Sequence, residues 1–138
     1  MMPDERIEFA ADGVSRFAGM GDYALISPDG RHEVVLRYAG EPPHGDSFHE
    51  TTIDGRKLPG LTWGSNFAFS ADSVFLAASW MAERYERRTI VVDLRRRLFF
   101  VLPVYICDFA FHWPELKGAG ADAGLDFRFE GAEAWTPF

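Results

Sequence analysis

The densest set of groups able to bind or react is His44-Gly45-Asp46-Ser47-Phe48-His49-Glu50, with two imidazoles and two carboxylates in seven residues. Imidazole nitrogens and carboxylate oxygens together suit zinc or manganese, the chemistry of a metal-dependent hydrolase. The spacing lacks the helical i, i+4 placement that puts two histidines on one face, and a loop rich in glycine and proline carries such residues by composition alone. The reading is therefore no metal and no cofactor, with His44, Asp46, His49 and Glu50 as the ligands if there were one.

A second concentration is Arg84, Arg87, Arg88, Arg95, Arg96 and Arg97, six of the chain's 14 basic residues within fourteen positions, with Tyr85 among them. Guanidinium forks and an aromatic face suit phosphate or RNA. The plainer alternative is two solvated turns with Glu83, Glu86 and Asp93 as local counter-charge. Net charge −7, from 14 basic and 21 acidic residues, favours that alternative, because the rest of the chain would repel a polyanion. Ser27, Ser70 and Ser73 lack a G-x-S-x-G context, and His32 and His112 have no acid partner evident in the sequence. A Ser-His-Asp triad assembled across the chain is not indicated. The single cysteine, Cys107, excludes an internal disulfide and a cysteine-only zinc site, and within Val104-Tyr105-Ile106-Cys107 it reads as a buried, inert thiol.

The elements that position these groups read as strands. Ser65 to Leu94 contains three apolar segments, Asn66 to Ser70, Val74 to Trp80 and Thr89 to Leu94, separated by polar breaks. Runs this apolar imply neighbouring antiparallel strands buried on both faces. Tyr23 to Ser27 and Glu33 to Tyr38 flank the turn Pro28-Asp29-Gly30, and Asp54-Gly55 is a two-residue hairpin signal after Phe48 to Ile53. Gly40 to Ser47 is the longest loop. Leu98 to Leu102 is a further buried strand, and Trp63, Trp80, Trp113 and Trp135 read as core or rim anchors. A chain of 138 residues that is 47% hydrophobic and 15% aromatic suffices for one β domain with a real core.

Self-comparison gives a period of about 43 residues, the length of a blade repeat. Tyr23-Ala24-Leu25-Ile26-Ser27-Pro28-Asp29-Gly30 aligns with Phe67-Ala68-Phe69-Ser70-Ala71-Asp72-Ser73, and a third copy falls on Asp108 to Pro114. The pattern resembles β-propeller blades of the TolB-like and WD40-like kind, in which a Phe-Ser-Pro-Asp-Gly turn joins the first two strands. The division expected is an edge segment over residues 1–21, repeats over 22–64 and 65–106, and a partial repeat over 107–138. Two to three blades do not close a ring. The expected fold is thus all-β and antiparallel, packed as an open sandwich or incomplete propeller.

In size, acidity and absence of a catalytic motif the chain is similar to the immunity proteins that neutralise bacterial toxins by occluding the active site. That likeness implies a non-enzymatic module binding a basic protein partner, with Glu41, His44, Asp46, Glu83, Tyr85, Glu86, Arg87 and Arg88 at the contact. A homo-oligomeric scaffold paired through sheet edges is the alternative, and the metal-dependent hydrolase the other. MMPDERIEF contains no apolar run able to act as a signal peptide, so a cytoplasmic protein without membrane association is expected.

Overall fold

The computed structural model describes residues 3–138; Met1 and Met2, the start of the expected edge segment, lie outside them. The strands are β1 (Glu5–Glu8), β2 (Arg16–Phe17), β3 (Tyr23–Ile26), β4 (Glu33–Gly40), β5 (Phe48–Ile53), β6 (Arg56–Lys57), β7 (Leu61–Phe69) and β8 (Phe75–Met81). They continue as β9 (Arg88–Asp93), β10 (Leu98–Val101), β11 (Phe109–His112), β12 (Glu115–Gly118), β13 (Asp126–Arg128) and β14 (Thr136–Pro137). One sheet runs in the order β1-β3-β4-β5-β7-β8-β9-β10-β14, with β2 alongside β7 and β6 alongside β5. A smaller sheet is β11-β12-β13. Among the described residues every strand pairing is antiparallel except β1 with β3. The only helical element among the described residues is a 3-10 turn at Gly120–Asp122. The all-β, largely antiparallel expectation therefore holds.

The central strands are covered on both sides, as their continuous apolar runs require. Phe67, Phe69, Leu76, Ala78, Trp80, Ile90 and Val92 point into one core. The intervening Ala68, Ala77 and Val91 point into the other, against Phe109, Phe111 and Leu116 of the small sheet. Register places Ala68 opposite Ala77 and Ala77 opposite Val91, so these three form one row across β7, β8 and β9. Small side chains there let the second sheet approach closely. The first core also contains Ile7 and Phe9 beside one sheet edge and Phe99 near the other, so the large sheet curls until its two ends share an interior.

The two aligned turns have the same hydrogen bonding. Ser27 Oγ donates to Asp29 Oδ1 (2.7 Å) and accepts the His32 N–H (3.0 Å); Ser70 Oγ donates to Asp72 Oδ1 (2.6 Å) and accepts the Phe75 N–H (2.9 Å). Gly30 and Ser73 both take positive φ, 74° and 63°, at the corresponding position. The turns also touch, because Asp29 donates its N–H to Ser73 Oγ (3.0 Å). The two turns thus share one bonding pattern.

Separate blades are not seen. β7 pairs with β5 of the first repeat through Trp63 and Thr62 and with β8 of the second along most of its length, so both repeats lie in one continuous sheet. The third copy forms the β11–β12 hairpin instead, turning at Trp113-Pro114 between paired His112 and Glu115. It lacks the serine and aspartate that cross-brace the other two turns. Residues 3–21 are only partly an edge: β1 lies at the sheet margin, whereas β2 occupies the side of β7 that β5 leaves open.

The Ala77→Leu substitution forces a larger side chain into the tightest part of the inter-sheet contact, and urea unfolding is expected to show a loss of about 1–3 kcal/mol. An unchanged midpoint would mean that the two sheets do not meet closely there.

Candidate functional site

The arginine cluster is divided by β9. Arg84, Arg87 and Arg88 lie at its beginning and Arg95 to Arg97 in the turn beyond its end, separated by the length of a six-residue strand, roughly 20 Å. Arg87 and Arg88 pair with Asp46 (3.0 Å) and Glu86 (3.6 Å), and Arg96 lies 3.9 Å from Asp93. The fold therefore forms no single basic patch from them.

What the fold does bring together is the loop between β4 and β5, residues 41–47, and the loop between β8 and β9, residues 82–87. Phe48 and Trp63 are register partners, so their side chains share a face, and with Met81 and Leu61 they form a small core capping this end of the sheet. The Arg87 guanidinium lies 3.7 Å from the centroid of the Trp63 ring, and the Trp63 indole N–H donates to the Glu86 carbonyl (2.9 Å). Arg87 then reaches Asp46 across the gap, stitching one loop to the other. Tyr85 packs 6.0 Å from Phe48 and 6.5 Å from Trp63, yet is 46% exposed.

Beside Asp46 the surface continues into a groove of about 300 Å³ lined by Phe17, Met20 and Glu41. Phe17 and Met20 are 68% and 59% exposed. The main chain beneath them is held in place: Gly19 donates its N–H to the Gly64 carbonyl (2.7 Å), and Ser47 Oγ donates to the Gly19 carbonyl (3.0 Å). Gly64 has to be glycine, because a Cβ there would run into the Gly19 carbonyl oxygen. Of the residues expected at a contact surface, Asp46, Tyr85, Glu86, Arg87 and Arg88 thus converge, with Glu41 lining the adjoining groove. Glu83 is exposed in the same loop as Tyr85, and His44, also exposed, turns in the left-handed region (φ 59°). Phe17 and Met20 were missed; apolar residues among Gly19 and Gly21 are the one signal that marks them.

The histidine and carboxylate quartet is dispersed by strand alternation. His49 and Glu50 are consecutive in β5 and face opposite ways, one buried and one exposed. His49 Nε2 donates to the Gly21 carbonyl (2.9 Å), with Nδ1 buried and unpaired. Asp46 is bound to Arg87, and Glu50 lies 3.8 Å from Lys57. Among the described residues no three His, Cys, Asp or Glu side chains form a metal-binding group.

His32 does find an acid, Asp54, at 2.7 Å from Nδ1. Asp54 is 22 positions away in the following hairpin, which is why the linear sequence hides it. Ser27 Oγ is already committed to Asp29 and the His32 main chain, so the pair braces two turns. Cys107 is half-buried rather than buried. Its segment is irregular instead of a strand, held by Asp122 Oδ2 at the Cys107 N–H (2.7 Å) and by Asn66 at its carbonyl (3.0 Å).

No family model, curated protein or solved structure matches this chain. No helix among the described residues is long and apolar enough to cross a membrane.

Burial holds the His49 imidazole below the ordinary histidine range, with the Gly21 carbonyl opposing the shift. The unfolded chain therefore binds this proton more readily, and stability present above about pH 6.5 is lost as the pH falls toward the folded value. Urea midpoints measured between about pH 7.5 and pH 5 should decline less in His49→Gln than in the parent chain. Parallel declines would show that His49 does not account for the acid sensitivity.

Proposed function

We propose that this domain is a non-enzymatic protein-binding module that uses the face built from the 41–47 and 82–87 loops together with Phe17 and Met20. The observation that carries the reading is the convergence of these segments: an exposed Tyr85 on a rigid Phe48–Trp63 base, continued past the Asp46–Arg87 pair to exposed Phe17 and Met20. Aromatic anchors fixed from beneath and surrounded by polar groups are what a protein interface concentrates its affinity on. The polar residues of the 44–50 segment are tied up in holding the face together, Asp46 on Arg87 and His49 on the Gly21 carbonyl.

The specific form proposed is neutralisation of a basic toxin enzyme by covering its catalytic cleft. Net charge −7 favours a cationic partner and would speed its capture. Glu41, Asp46, Glu83 and Glu86 would face the partner's basic residues, and Tyr85, Phe17 and Met20 would enter its apolar recesses. Homo-oligomerisation through sheet edges is disfavoured, since β1 has four residues, three of them charged, and β14 has two.

Affinity capture from the source cells with the tagged chain should recover a basic protein whose activity the chain suppresses. Tyr85→Ala should weaken that complex about tenfold or more, and Asp46→Arg should slow its formation most strongly at low salt. Recovery of no partner by the parent chain, or equal binding by both variants, would defeat the proposal.

A further inference from the structure

A second surface lies at the opposite end of β9 and shares no residue with the loop face. A cleft of about 600 Å³ is lined by Phe75, Trp113, Phe129 and Trp135, with Arg95 and Arg96 beside them. Its size is that of a ligand site. The aromatic rings come from four separate places: the start of β8, the β11–β12 turn, the residue after β13 and the approach to β14. They nevertheless lie nearly parallel: Phe75 and Trp113 are 3.9 Å apart at 16°, Trp113 and Phe129 4.9 Å at 26°, and Phe129 and Trp135 5.6 Å at 24°. Trp113 is 41% exposed although it packs on two other rings.

The free polar groups of the cleft decide what it would take. Trp63 and Trp80 satisfy their indole N–H groups with the carbonyls of Glu86 (2.9 Å) and Pro59 (2.8 Å). Among the described residues, the indole N–H groups of Trp113 and Trp135 have no protein acceptor. The carboxylates, in contrast, are engaged. Asp93 Oδ1 accepts the N–H groups of Arg95 (3.2 Å) and Arg96 (3.0 Å). Glu133 accepts those of Glu130 (2.8 Å) and Gly131 (3.1 Å), which hold it below the usual carboxylate range. Glu130 lies 3.9 Å from Arg128. Among the described residues, what is left unpaired is the two indole N–H groups and the Arg95 guanidinium, beside a set of stacked apolar rings.

A ligand that fits offers acceptors and apolar faces with few donors of its own. An anion would meet Asp93, Glu130 and Glu133, so the acceptors have to be neutral. A proline-rich segment in the polyproline II conformation meets each condition: its carbonyls project outward, its residues lack N–H groups, and its rings lie flat on aromatic side chains. We infer that the Trp113–Trp135 cleft binds an extended proline-rich peptide, with the indole N–H groups and Arg95 and Arg96 donating to peptide carbonyls. The carboxylates at the rim would favour a lysine or arginine flanking the prolines. This inference does not depend on the loop face at the other end of the domain.

Titration of the whole chain with decaproline, and with decaproline carrying a terminal arginine, tests it through tryptophan emission. Saturable quenching is expected, tighter for the arginine-bearing peptide. Trp113→Ala should weaken binding about tenfold or more, with a smaller loss for Arg95→Ala. Both positions are exposed, and an unchanged thermal midpoint identifies the loss as one of binding. Tyr85→Ala should leave the titration unaltered, which separates this cleft from the partner-binding face. No response to either peptide at about 1 mM, equal binding by Trp113→Ala, or preferential binding of cellohexaose or chitohexaose would overturn the assignment.

Discussion

Close approach of a small three-stranded sheet to the row Ala68, Ala77 and Val91 is the contact on which the rest of the domain depends. Three central strands with apolar residues on both faces cannot leave either face in water, and the curl of the large sheet covers only one of them. The second cover consists of Phe109, Phe111 and Leu116, and it can lie flat only because two alanines face it. Both candidate surfaces follow from this. The cover carries Trp113 at its hairpin turn and is followed by Phe129, so the aromatic cleft is the seam between the sheets. The loop face is the open end of the same central strands.

Strands enclosed on both sides carry their polar groups into the interior, and those groups are mostly used to fasten neighbours. Thr89 Oγ1 donates to the Ile106 carbonyl (3.0 Å) and accepts the Ile106 N–H (2.8 Å), pinning the connection that leads from the large sheet to the small one. The hydroxyls of Thr51 and Thr62 join β5 to β7 at 2.7 Å. Burying such groups unpaired would cost more than their bonds return, so their pairing fixes which strands can be neighbours. Among the described residues His49 Nδ1 and Ser65 Oγ are the exceptions, both buried without a partner. His49 lies directly beneath the backbone that carries Phe17 and Met20, since its other nitrogen holds the Gly21 carbonyl.

The parts of the fold legible in the sequence were those encoded by short-range signals. The apolar runs at 66–70, 74–80 and 89–94 announced doubly covered strands. Asp54-Gly55 announced a two-residue turn, and both of its residues take positive φ, 49° and 81°. The aligned Ser-x-Asp segments announced two turns whose bonding is the same. Pairing across distance was not legible. Nothing in the run of residues says that β7 joins the repeats into one sheet, that Asp46 meets Arg87 41 positions away, or that Asp54 answers His32. The two strand members of the histidine and carboxylate cluster, His49 and Glu50, part for a simple reason: an extended strand points consecutive side chains to opposite faces.

The shared strand has a consequence for how this chain behaves as a material object. Duplicated modules that meet only at an interface can be shuffled, trimmed or melted one at a time, as in solenoids. Here β7 pairs with β5 at Thr62 and Trp63 and with β8 at Leu61, Thr62 and Phe67 to Phe69, the β8 ladder shifting register between Thr62 and Phe67. Neither module owns a full set of neighbours without the other. Cutting at the module boundary would therefore leave two incomplete pieces, and amides in both should exchange with deuterium through one concerted opening.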